Sequence, residues 1–128
     1  MLASVKTITN KVHILSHVPP GNSECLGAWG REYSRIISRF EDTVAAQFHG
    51  HTHYDHFALH YDPANTSRAT SVGFISPSVA TYTGLSPGYR IYHVDPDTYQ
   101  VRAPVTILVA MFVLDHHPYV SSCLHLTD

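Results

Sequence analysis

The sequence predicts an α/β fold, and three features point to it. A β-branched apolar run leads through a proline-rich loop into an amphipathic helix, a second apolar run follows the helix directly, and later segments alternate with a period of two. With 44% hydrophobic and 14% charged residues, the 128-residue chain has enough apolar surface for a core and does not read as disordered.

Lys11 to His17 (KVHILSH) reads as a buried strand, and Pro19-Pro20-Gly21 turns it into a loop because paired prolines exclude helix. Leu26, Trp29, Tyr33, Ile36, Ile37 and Phe40 recur at steps of three and four, with Arg31, Glu32, Arg35 and Arg39 on the opposite side. That spacing predicts an amphipathic helix. Thr43 to Phe48 (TVAAQF) is a second buried strand that stops at Gly50. Phe57, Leu59 and Tyr61 alternate with Ala58 and His60, and Asp62 to Asn65 forms a turn. Ser71 to Ile75 and Tyr89 to Val94 are further strands, so the second half is expected as antiparallel strands beside the α/β unit.

Lys plus Arg is 8 against 10 for Asp plus Glu, a balance that argues against a nucleic-acid surface. The 11 histidines are unusual: protonating all of them would move the formal charge from −2 to +9 and favour an anionic membrane surface at acid pH. Most of them are expected as solvated surface groups. The two cysteines, Cys25 and Cys123, form no CxxC metal pair, and the first residues lack the apolar core of a signal peptide. Pro104 to Leu114 is apolar but shorter than the ~20 residues a membrane-spanning helix needs. Asn65-Thr66-Ser67 is a glycosylation sequon, meaningful if the chain is secreted.

The strongest chemical signal is Gly50-His51-Thr52-His53 after a buried strand. In extended chain, residues i and i+2 share a face roughly 6.6 Å apart, so His51 and His53 can each take a different ion of a two-metal pair. Gly50 is expected to let the backbone turn tightly. His17 ends another predicted strand at an analogous sheet edge, where α/β sheets build their sites. A chance HxH pair and a loop histidine are the alternatives.

The order KVHILSHVPPG, then CLGAWGREYSRIISRFEDTVAAQFHGHTHYDHF, then SVGFISPSVATYTGLSPGYRIYHVD resembles the acid sphingomyelinase (sphingomyelin phosphodiesterase) family of calcineurin-like metallophosphoesterases, over roughly positions 10 to 95. The resemblance implies that residues 1–100 are the C-terminal half of a metallophosphoesterase-type layered β-sandwich with flanking helices. It implies two zinc ions, with His17 and His51 on one and His53 on the other, and a lysosomal or secreted glycoprotein carrying sugar at Asn65. It also implies a phosphodiester substrate: sphingomyelin, hydrolysed to ceramide and phosphocholine, or another phosphodiester. Tyr82 is implied to lie near the substrate; an ordinary loop aromatic is the alternative.

The family's DxH, GD and GNH motifs, which supply the bridging aspartate and the acid histidine, do not precede the matched stretch. No catalytic residue is therefore assigned here. A fragment inactive on its own is expected, with a non-catalytic metal-binding or membrane-binding segment and a nucleotide-directed phosphodiesterase as alternatives. Cys25 matches a family cysteine whose partner lies upstream, so it is expected unpaired unless Cys123 substitutes. Residues 101–128 read as a divergent apolar tail: an unstructured segment, a gene-model artefact or a true insertion.

Overall fold

The computed structural model describes residues 11–108. Strand β1 (Val12–Leu15) leads through the proline loop into α1 (Gly27–Arg39), and β2 (Val44–His49) follows the helix within a few residues. The helix closes at Phe40, whose N–H reaches the carbonyls of Ile36 and Ile37, and the Phe40 carbonyl accepts the N–H of Thr43 at 2.8 Å and of Val44 at 2.9 Å. This tight turn delivers β2 alongside β1 in parallel. Ile37 is 1% exposed, and its full burial contributes roughly 2 kcal/mol.

The strands of the second half pair antiparallel with one another as expected, but the first such pair joins the sheet of the α/β unit instead of lying beside it. Strand β3 (His56–Asp62) turns into β4 (Asn65–Ile75), and β4 inserts between β3 and β2, giving the order β1-β2-β4-β3. The pair β3–β4 is antiparallel, but β4 runs parallel to β2. The reason is geometric. Because the chain leaves β2 at its carboxyl end and β3 runs back, the hairpin partner β4 must run forward again.

Strands β5 (Gly88–Val94) and β6 (Val101–Leu108) form a separate antiparallel hairpin. The boundary expected at residue 100 thus falls in a hairpin turn, and residues 101–108 of the expected tail are a strand. The β-branched run around Val105 to Ile107 pairs with Tyr89 to Ile91, so these residues are not structureless. Residues 109–114 of the apolar segment, and the rest of the tail, lie outside the described residues.

Register divides the four-stranded sheet into two faces. Gln47 stands beside Gly73, which faces Ala58, while Phe48 stands beside Phe74, which faces Phe57. Helix α1 covers the first face: the Tyr33 hydroxyl donates to Gln47 Oε1 at 2.7 Å, and Gln47 Nε2 donates to Ser71 Oγ at 2.8 Å. Gln47 is fully buried. Burial raises the Tyr33 phenol to about 12. The hairpin meets the second face through Tyr92, whose ring lies 4.6 Å from Phe48 and 5.5 Å from Phe74. The result is a mixed α/β arrangement with one helix and two sheets. Among the described residues no helix is long and apolar enough to cross a membrane.

Candidate metal centre

The carboxyl ends of the parallel strands β1 and β2 stay paired beyond their last residues. Ser16 N–H donates to the Phe48 carbonyl at 3.0 Å, and Gly50 N–H donates to the His17 carbonyl at 3.0 Å. This places His17 beside Gly50, at the sheet edge where α/β folds collect ligands. The rings of His17 and His51 then meet edge to face, 5.2 Å between centroids.

The path through the GHTH stretch differs from the extended chain expected. His51 has φ 71° and His53 φ 64°, both in the left-handed region, whereas Gly50 has no positive φ. The histidines themselves make the turn. A side chain at Gly50 would have met His17 Nδ1 at an ordinary 3.7 Å, so space there did not demand glycine. Left-handed backbone at a residue with a Cβ costs of order 1–3 kcal/mol and persists where surroundings enforce it. Here Thr52 N–H donates to the Gly50 carbonyl at 2.9 Å, and Thr52 Oγ1 lies 2.9 Å from His56 Nε2. Asp55 pairs with Arg90 of β5, a guanidinium that is 8% exposed and also lies 3.0 Å from Thr106 Oγ1 on β6. The loop carrying the histidines is therefore clamped to the second sheet.

His53 meets a different neighbour. Its ring lies 5.9 Å from that of Tyr82, which sits in a short 3-10 turn (Tyr82–Gly84), and its Nδ1 is buried without a hydrogen-bond partner. The structure thus brings His17 and His51 together and sets His53 against Tyr82. A cleft of about 580 Å³ beside them is lined by Asn22, Glu24, His51, Thr52, Tyr54, His56 and Tyr82. A larger cleft, about 710 Å³ between the proline loop, α1 and β3, holds none of the three histidines. Asn65 is exposed at the start of β4, accessible to a glycan. Among the described residues Cys25 has no disulfide partner; Cys123 lies outside them.

Imidazole nitrogens suit zinc, and a buried, unpartnered Nδ1 on His53 fits a ligating atom. In number the donors fall short: among the described residues no group of three His, Cys, Asp or Glu side chains is placed to hold an ion. The imidazoles among the described residues would not by themselves complete the donor set of a zinc ion.

Sequence reasoning missed two groups. Glu24, in the loop after the prolines, has Oε2 3.2 Å from His51 Nε2 and accepts its proton when that nitrogen carries one. His49, one residue before the GHTH stretch, is 5% exposed with Nδ1 2.8 Å from Ser16 Oγ. Burial, with a smaller contribution from neighbouring His60, pushes its imidazole down to about 4. Its place within an apolar strand pattern was the available signal.

No family model matches the chain. Over 111 residues it is 47% identical to sphingomyelin phosphodiesterase of Homo sapiens, an alignment covering 87% of the chain and 16% of that protein. It is 49% identical over 88 residues to sphingomyelin phosphodiesterase 1 of Caenorhabditis elegans, covering 67% of the chain and 16% of the relative. Acid sphingomyelinase-like phosphodiesterase 3b of Mus musculus is 35% identical over 111 residues, covering 74% and 24%. The chain spans 16% of the length of the first of these relatives.

Proposed function

The chain belongs to the sphingomyelin phosphodiesterase family, and on that premise we propose that its residues form one side of a two-zinc site for phosphodiester hydrolysis, with sphingomyelin as substrate. His17 and His51 bind one ion and His53 the other, within the C-terminal half of a calcineurin-like layered sandwich. The observation that carries this reading is the clamped left-handed turn, in which His51 stands against His17 and His53 against Tyr82 despite the backbone strain.

When bound, zinc supplies activated water and charge stabilisation at the phosphoryl oxygens. The chain's own part is positional. His17 and His51 present nitrogens at one rim, Glu24 orients the His51 ring by accepting its Nε2 proton, and Tyr82 lies at the mouth of the adjoining cleft. The lysosomal or secreted setting, the glycan at Asn65 and contact with a membrane surface at acid pH belong to the same proposal. Identity is higher with the sphingomyelin phosphodiesterases, at 38% to 49%, than with the sphingomyelinase-like phosphodiesterases 3b, at 30% and 35%, which favours a sphingomyelin headgroup over other phosphodiesters.

The shortage of donors favours a second reading for these 128 residues in isolation: weak metal binding without turnover. Zinc titration by calorimetry and release of labelled phosphocholine at acid pH test both. Wild-type protein is expected to bind zinc at least tenfold more tightly than His51→Ala, with negligible turnover of the isolated polypeptide. Equal zinc affinity of the two proteins would remove the metal role, and robust zinc-dependent turnover would overturn the expectation of inactivity.

A further inference from the structure

Beneath α1 lies a second pair of imidazoles that the proposed centre does not use. His49 ends β2 and His60 belongs to β3, with β4 between them; they are 5% and 7% exposed. At the intervening position of β4 stands Gly73. A Cβ there would lie 3.2 Å from the Nε2 of His49 and 3.2 Å from the Nε2 of His60, so the two nitrogens stand within twice that distance of each other. Both Nε2 atoms are buried and have no hydrogen-bond partner among the described residues.

The surroundings prepare these nitrogens as donors of a lone pair. His49 Nδ1 is 2.8 Å from Ser16 Oγ, and that hydroxyl in turn reaches the Val18 carbonyl at 3.5 Å. With Ser16 donating to the carbonyl and accepting the Nδ1 proton, the lone pair of His49 falls on Nε2. A ring nitrogen anchored in this way is the usual outer support of a ligating histidine. Three other polar groups of this layer are engaged with one another: Tyr33 donates to Gln47, and Gln47 donates to Ser71. No third donor joins the two imidazoles, and no group of three ligating side chains occurs among the described residues.

A set of two neutral nitrogens in an apolar layer selects among ions. Calcium and magnesium require oxygen ligands, and zinc requires four donors. Copper(I) has a closed d shell, accepts imidazole, and is satisfied by two opposed ligands. We propose that His49 and His60 bind one copper(I) ion between their Nε2 atoms, in the space that the absence of a side chain at Gly73 keeps open. This site uses none of His17, His51 and His53, and it does not depend on the zinc reading.

The test uses the full chain with Cys25→Ser and Cys123→Ser, so that thiolates do not compete. It is titrated without oxygen with copper(I) against a coloured chelator, and circular dichroism checks the fold of each variant. One equivalent of copper(I) is expected to be retained. His60→Phe and Gly73→Ala should each weaken that binding at least tenfold, whereas His51→Ala should leave it unchanged. Undiminished uptake by His60→Phe and Gly73→Ala overturns the proposal, as does uptake that disappears with His51→Ala. Should His60→Phe fail to fold, X-ray absorption of the copper-loaded parent still decides: two nitrogen neighbours support the site, and three or more ligands or oxygen donors refute it. Zinc affinity measured on the same proteins reports on the rim alone, so failure of one reading is distinguishable from failure of the other.

Discussion

The two faces of the four-stranded sheet are built from alternate residues of the same strands, yet different physics holds them. On the hairpin side, Phe48 and Phe74 stack 6.0 Å apart under Tyr92, and His13 edges against Phe48 at 5.5 Å. Ring contact and excluded water do the work there. On the helix side, Tyr33 meets Gln47 and His60, Gln47 bonds Ser71, and His49 lies against Ser16. That face is buried but polar, and its stability rests on the Tyr33–Gln47–Ser71 hydrogen bonds and on imidazoles staying neutral. A period of two therefore separates two modes of cohesion as well as inside from outside.

The comparison is tested most severely by acid. Burial lowers His49 from 6.5 to about 4 and also lowers His60. Between those values the unfolded chain binds protons that folded His49 refuses, so stability falls as pH drops through that window. The loss reaches roughly 3 kcal/mol by pH 4 from His49 alone. Urea unfolding of the metal-free protein at pH 7, 5.5 and 4.5 should show the midpoint declining, and His49→Phe should flatten the decline; a constant midpoint would erase the distinction between the faces. Phe48→Ala probes the aromatic side. Phe48 is half-buried, so about 2 kcal/mol should be lost, by the same amount at every pH. A pH-dependent loss would mean that the faces are coupled. The smallest effect belongs to Tyr33→Phe, which removes one donor from a Gln47 that keeps its bond to Ser71 and should cost about 1 kcal/mol. The same variant should abolish the tyrosinate that appears only near pH 12 in an absorbance titration.

Much of this was legible in the residues. The three- and four-residue spacing from Leu26 to Phe40 marked α1, and the apolar runs around Val12 and Val44 marked the parallel pair. Local pattern was not enough for β4. Its insertion between β2 and β3 is decided by the sense in which the chain returns after the GHTH loop, a long-range matter. Strand β6 was obscured because an apolar run beside Pro104 looks foreign until its pairing with Tyr92 is known. His17, His51 and His53 could be singled out as candidate ligands, but the backbone that carries them could not be foreseen. An HxH pair suggests extended chain, and only the hydrogen bonds around Thr52 with the Asp55–Arg90 pair reveal the left-handed turn. The buried histidines were hidden for a simpler reason: His60 sits at a polar step of an alternating strand and reads as solvated until α1 covers it.

The left-handed turn has a consequence for how such a chain ages under mutation. Glycine at position 51 or 53 would rest in that backbone at ease, so the changes that most readily toughen the loop are the ones that delete its rings. Drift without demand should erode this tetrapeptide early, while the aromatic layer beneath, where firmness and sequence agree, outlasts it.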